Sequence, residues 1–162
     1  MEEIRRPGFP RNRNILTMSD RIGEIAGIVL ATLVAAFFVY HQIRNTGFMK
    51  ADFGWFESLL LYGSFAFSIM SSGARAVMGR RDKARPFELA SNVFLLVAAL
   101  WFLTEFPFNF AHLADALPST LRFILSWISN GIGWIIILLA FIGSTVAALY
   151  NSARLVLDRF WN

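Results

Sequence analysis

The chain has 162 residues, of which 56% are hydrophobic and 16% charged, with a mean hydropathy of +0.53 and a formal charge of +4. Soluble domains carry about a quarter charged residues, so a chain this apolar would expose adhesive surface in water, and a membrane solvent is the first expectation. Cysteine is absent, which excludes disulfides, thiolate metal sites and cysteine nucleophiles.

Residues 1–20 form a basic arm with Arg5, Arg6, Arg11 and Arg13, interrupted by Pro7, Gly8 and Pro10. Only two of these arginines are adjacent, so no nucleic-acid partner is expected. The first apolar run, Ile22 to Tyr40, has no ionisable side chain between Ile25 and Tyr40. About 20 helical residues cross the ~30 Å hydrocarbon core, so the run is long enough. It exceeds the ~7–15 apolar residues of a secretory signal and ends in bulky aromatics, which reads as a retained span. A link from His41 to Asp52 follows, then a second span from Phe53 to Ala74.

The stretch Arg75 to Glu88 is basic and places Pro86 at a plausible first helical position. The third span is Phe87 to Phe106, closed by Pro107. In the irregular stretch near 108–130, Pro118 opens a pattern in which Leu121, Ile124, Leu125 and Ile128 recur at helical spacing. This suits an amphipathic interfacial helix, or a continuation into the last span with a break at Gly131 and Gly133. The fourth span is Ile132 to Ala153.

The expected fold is therefore an all-α integral membrane protein with four transmembrane helices. Twelve of the fifteen Lys and Arg residues fall on the side of the arm, the middle stretch and the tail, against Arg44, Lys50 and Arg122 on the other. The positive-inside rule then places both termini in the cytoplasm.

The two halves also resemble one another. Arg21 and Glu24 align with Arg85 and Glu88; Gly54–Trp55 aligns with Gly133–Trp134; Ala74–Arg75 aligns with Ala153–Arg154. These matches describe two tandem helical hairpins, 21–80 and 85–162, joined by a cytoplasmic linker at 81–84, with an insertion in the second outer loop. Two spans per repeat give both copies the same polarity.

Three groups of residues stand out. Glu24 and Glu88 open spans one and three; Arg75 and Arg154 close spans two and four. Each charge suits the helix dipole it meets, so the expected ion pairs are Glu24–Arg75 and Glu88–Arg154. Ser64, Ser68 and Ser72 align with Gly143, Ala147 and Asn151, a small-residue stripe expected to bring spans two and four together. His41, Glu57, Glu105 and His112 form a loose polar cluster at the outer edge without metal-ligand spacing. No cofactor or metal is expected, and no nucleophile–base arrangement is visible. The midplane lacks charge, which argues against ion-coupled transport. The leading expectation is a non-enzymatic structural or interaction subunit of a homo-oligomer or larger membrane complex, with membrane lipid and other subunits as partners. The alternative is a transporter or channel for a small or lipophilic solute. A lipid-directed enzyme using the outer histidines ranks third.

Overall fold

In a computed structural model, which describes residues 15–160, the chain forms four long helices: α1 Met18–Arg44, α2 Trp55–Met78, α3 Arg81–Glu105 and α4 Asn130–Phe160. No strand occurs among the described residues. Residues 1–14, with the four arginines of the basic arm, lie outside them.

Local chemistry sets the helix ends. Thr17 accepts from the Asp20 N–H and Asp20 accepts from the Thr17 N–H, a reciprocal cap that starts α1 before the apolar run. Asn45 ends α1 in the left-handed conformation, with φ 46°. Glu57 accepts from the Gly54 N–H at the start of α2. Gly79, at φ +61°, ends α2, and its N–H bonds the Arg75 carbonyl.

The α2–α3 connection is tighter than the sequence suggests. Residues 81–84, read as a linker, are the first turn of α3, so Pro86 sits inside the helix rather than at its first position. The turn is pinned from outside: the Leu16 N–H donates to the Gly79 carbonyl, and Ile15 bridges Arg80.

α1, α3 from Lys83 and α4 to Leu157 are each long and apolar enough to cross a membrane. α2 is of similar length, but Gly63, Ser64, Ser68, Ser71, Ser72, Gly73 and Arg75 make it more polar. The helices pack in chain order: α1 on α2, α2 on α3, α3 on α4. Among the described residues α1 does not pack on α4, and α2 does not pack on α4. The expected α2–α4 seam is thus absent. α3 packs on both helices, and a cavity lies between Ser64 and Ser68 of α2 and Asn151 of α4.

The outer segment also departs from expectation. It contains two short 3₁₀ turns, Phe110–Ala116 and Ser119–Ile124, and neither is an amphipathic α-helix nor a continuation of α4. The stretch is anchored where it leaves α3. The Lys50 N–H donates to the Pro107 carbonyl, the Asn109 N–H donates to the Phe48 carbonyl, and Met49 bridges Phe108. Two extended segments, 48–50 and 107–109, are thus zipped together where the outer stretch begins, and the turns that follow are held by local backbone bonds such as Leu121 to Pro118 and Leu125 to Arg122.

That pairing drives aromatics between the helix ends. Phe48 is fully buried, with ring centroids 5.6 Å from Phe38, 4.9 Å from His41, 5.4 Å from Phe108 and 5.3 Å from Phe110. Gly133 lets the Phe110 ring lie against α4 where any Cβ would collide with it. The result is an aromatic plug at one end of the helix array.

Candidate functional site

The opposite end is organised by Arg75. It lies one turn before the end of α2, between Glu24 of α1 and Glu88 of α3. Its Nε and Nη2 donate to the two oxygens of Glu24 at 2.6 and 2.8 Å. Its Nη1 donates to Glu88 at 3.0 Å. The remaining donors reach Ser71 and Ser72, both at 3.0 Å. A guanidinium has five N–H donors, and all five here have acceptors. The two serines precede Arg75 by four and three residues, so they lie on its own helix face.

This arrangement revises two expectations. Glu24 does pair with Arg75, but Glu88 turns to the same arginine instead of Arg154. α3 packs directly on α2, which puts Glu88 within reach of the Arg75 fork. Arg154 Nε donates to the Tyr150 hydroxyl at 3.2 Å, and its guanidinium lies 5.5 Å from that ring centre. Ser72, assigned to a packing stripe, is instead an acceptor for Arg75.

Above the Arg75 hub is a cavity of about 850 Å³. Its walls come from all four helices, including Glu24, Ser68, Asn92 and Asn151. Within it are three arginines (75, 85 and 154) and two glutamates (24 and 88). Asn151 and Arg85 are both buried, at 7% and 8% exposure. A second cavity of about 760 Å³ continues towards the aromatic plug, with Leu33, Phe37, Ala98, Phe102 and Ile136 among its walls. Ser64, Ser68 and Leu95 line both. The interior is thus one amphipathic space with a charged base and an apolar upper part. α1 and α4 flank it without packing on each other, so that side of the array is open.

Several hydroxyls on α2 and α4 are satisfied within their own helices. Ser64 donates to the Leu60 carbonyl, and Ser144 and Thr145 donate to the Phe141 carbonyl. Such back-bonding lets a helix carry hydroxyls in an apolar setting. Of the α4 stripe, Asn151 faces the cavity, Ala147 is half-buried, and Gly143 is exposed with open space where a Cβ would stand.

The outer polar residues have separate partners. His41 is buried; its Nε2 donates to the Leu113 carbonyl at 3.1 Å, and Nδ1 meets the Thr46 hydroxyl. It secures the loop after α1. Glu57 accepts from the Gly54 N–H and from Trp101 Nε1. His112 Nδ1 donates to Asp115 at 2.9 Å, and Arg122 lies 3.5 Å from the same carboxylate. The bond from His112, helped by the Arg122 charge, holds the Asp115 carboxyl below its ordinary range despite slight desolvation. Glu105 is exposed at the end of α3. Among the described residues no group of three His, Asp or Glu side chains is placed to hold a metal ion.

A polar tie that no local sequence pattern signals lies near the plug. The Tyr62 hydroxyl donates to Gln42 at 2.6 Å, and Gln42 Nε2 donates to Ser58 at 3.1 Å. It fixes α1 to α2. No protein-family model, curated protein or solved structure matches the chain.

Proposed function

We propose that the chain is a four-span membrane protein, built as two tandem hairpins with both termini cytoplasmic, that takes a lipophilic solute into its interior from the bilayer. Its role would be that of a carrier or binding protein, with no catalytic step. The observation that carries this reading is the amphipathic space: a charged chamber and an apolar chamber with shared walls, beside two flanking helices that do not touch. Ligand pockets commonly have volumes of ~300–1,000 Å³ with mostly apolar walls and a few convergent polar groups.

The four-span topology rests on three apolar helices and on the length of α2. At 1.5 Å per residue its 24 residues reach about 36 Å. Its polar side chains line the interior rather than facing lipid, which reconciles its composition with a spanning position. The distribution of Lys and Arg supports the orientation.

A second reading, a structural or interaction subunit of a homo-oligomer or larger complex, draws on the exposed Gly143. Small residues on an open helix face allow close approach of another helix. Native mass spectrometry after gentle extraction separates the two. A monomer that retains amphiphile, together with solute flux into liposomes above that of empty vesicles, is the expected result. A stable oligomer or a co-purifying membrane subunit with no retained amphiphile favours the second reading. A bare monomer with no flux refutes both.

A further inference from the structure

The charged chamber contains one arginine that its internal ion pairs do not use. Both oxygens of Glu24 and one of Glu88 are committed to Arg75. Arg75 in turn has no donor left for a ligand, since Ser71 and Ser72 take the rest. Arg154 differs. Its contacts are the hydroxyl and ring of Tyr150, and among the described residues it meets no carboxylate.

Arg154 is exposed to the chamber, and a guanidinium presents a planar fork of donors that suits phosphate and carboxylate. Beside Arg154, Asn151 and Asn92 supply amide donors and Ser91 a hydroxyl in the same chamber. An inorganic anion would leave the adjoining apolar chamber of about 760 Å³ unused. A molecule with one anionic head and a hydrocarbon chain matches both parts.

Building on the solute-binding reading above, we propose that the solute is an anionic amphiphile, its phosphate or carboxylate head held by Arg154 and its chain lying in the apolar chamber. A neutral head gains no charge-assisted bond there. A cationic head meets two carboxylates already occupied by Arg75, with the Arg154 guanidinium beside them.

The test uses the full-length protein in nanodiscs, titrated with four probes and read by native mass spectrometry. The probes are hexadecyl phosphate, the neutral glycerol monoester of hexadecanoic acid, hexadecyltrimethylammonium and inorganic phosphate. Hexadecyl phosphate should bind about tenfold or more tighter than the neutral monoester, as one charge-assisted hydrogen bond predicts. Arg154→Gln should erase that preference while leaving the neutral monoester and the melting midpoint unchanged. Ala140→Phe, which fills the apolar chamber, should weaken all three chain-bearing probes alike.

Equal binding of the anionic and neutral probes, or an unaltered preference in Arg154→Gln, overturns the headgroup assignment and leaves the solute-binding reading standing. Tighter binding of the ammonium probe overturns it as well. Inorganic phosphate binding as tightly as hexadecyl phosphate makes the site one for a free anion, and the amphiphile proposal fails. If no chain-bearing probe binds, the solute-binding reading itself fails.

Discussion

The two ends of the helix array solve the same problem by opposite means. At one end Phe48, Phe108 and Phe110 fill the space between helices, and paired loop backbones hold them there. At the other, Arg75 ties three helices through directed bonds and leaves a chamber of about 850 Å³ beside it. The aromatic plug excludes solvent by volume. The arginine hub joins α1, α2 and α3 at a point and cannot fill what surrounds it. The interior is therefore filled at the plug and hollow beside the hub.

The sharpest way to break the contrast is to empty the plug. Phe48→Ala removes a fully buried ring that four aromatic neighbours touch. Truncating a core Phe costs ~3–5 kcal/mol, so the melting midpoint in detergent should fall further than for a change at Arg75, Gly133 or Asp115. An unchanged midpoint would mean the plug does not hold the array together.

Arg75→Met comes next. It leaves two carboxylates facing one another without their cation. Because the Arg75 side chain is 22% exposed, solvent screens part of the effect, and a loss of ~1–3 kcal/mol is expected. Adding Glu24→Gln and Glu88→Gln should recover part of it. If the triple variant is less stable than Arg75→Met, the loss comes from hydrogen bonds rather than stranded charge. Gly133→Ala follows, since its Cβ collides with the Phe110 ring. Overpacking of this kind costs ~1–3 kcal/mol, and the relaxed variant Gly133→Ala with Phe110→Leu should regain stability in the same melting assay.

The sequence carried the membrane character and the approximate extents of the long helices, because apolar runs of span length are a strong signal. It also carried the Glu24–Arg75 pair, since helix-end charges follow the dipole. It misplaced Glu88. The choice between Arg75 and Arg154 depends on which helix α3 places nearer, and no local pattern encodes that. The Ser71 and Ser72 acceptors were legible at positions i−4 and i−3 from Arg75, but stripe reasoning assigned Ser72 to packing. The outer segment was misread for a clearer reason. Leu121, Ile124, Leu125 and Ile128 have helical spacing, yet the stretch is anchored at Pro107 and Asn109 to a loop some sixty residues earlier. The periodic residues themselves form short turns closed by local bonds, Leu121 to Pro118 and Leu125 to Arg122, which spacing alone does not distinguish from an α-helix. The cavity was invisible because its walls come from four helices far apart in sequence.

The smallest expected effect lies on the outer face of the plug, at Asp115. Its carboxyl is held below the ordinary range by the His112 bond and the Arg122 charge. A carboxylate whose folded pKa is depressed contributes stability above its unfolded pKa of ~3.9, and that contribution disappears as pH falls through the lower folded value. The group is solvent-accessible, so screening keeps the contribution small. Melting midpoints measured from pH 5.5 down to pH 3 should therefore fall slightly more for the natural protein than for Asp115→Asn, with the two curves converging at the acid end. Parallel curves would show that the His112–Asp115–Arg122 group does not brace the outer turns. The plug would then depend on its aromatic packing and backbone pairing alone, which makes the difference between the two ends still greater.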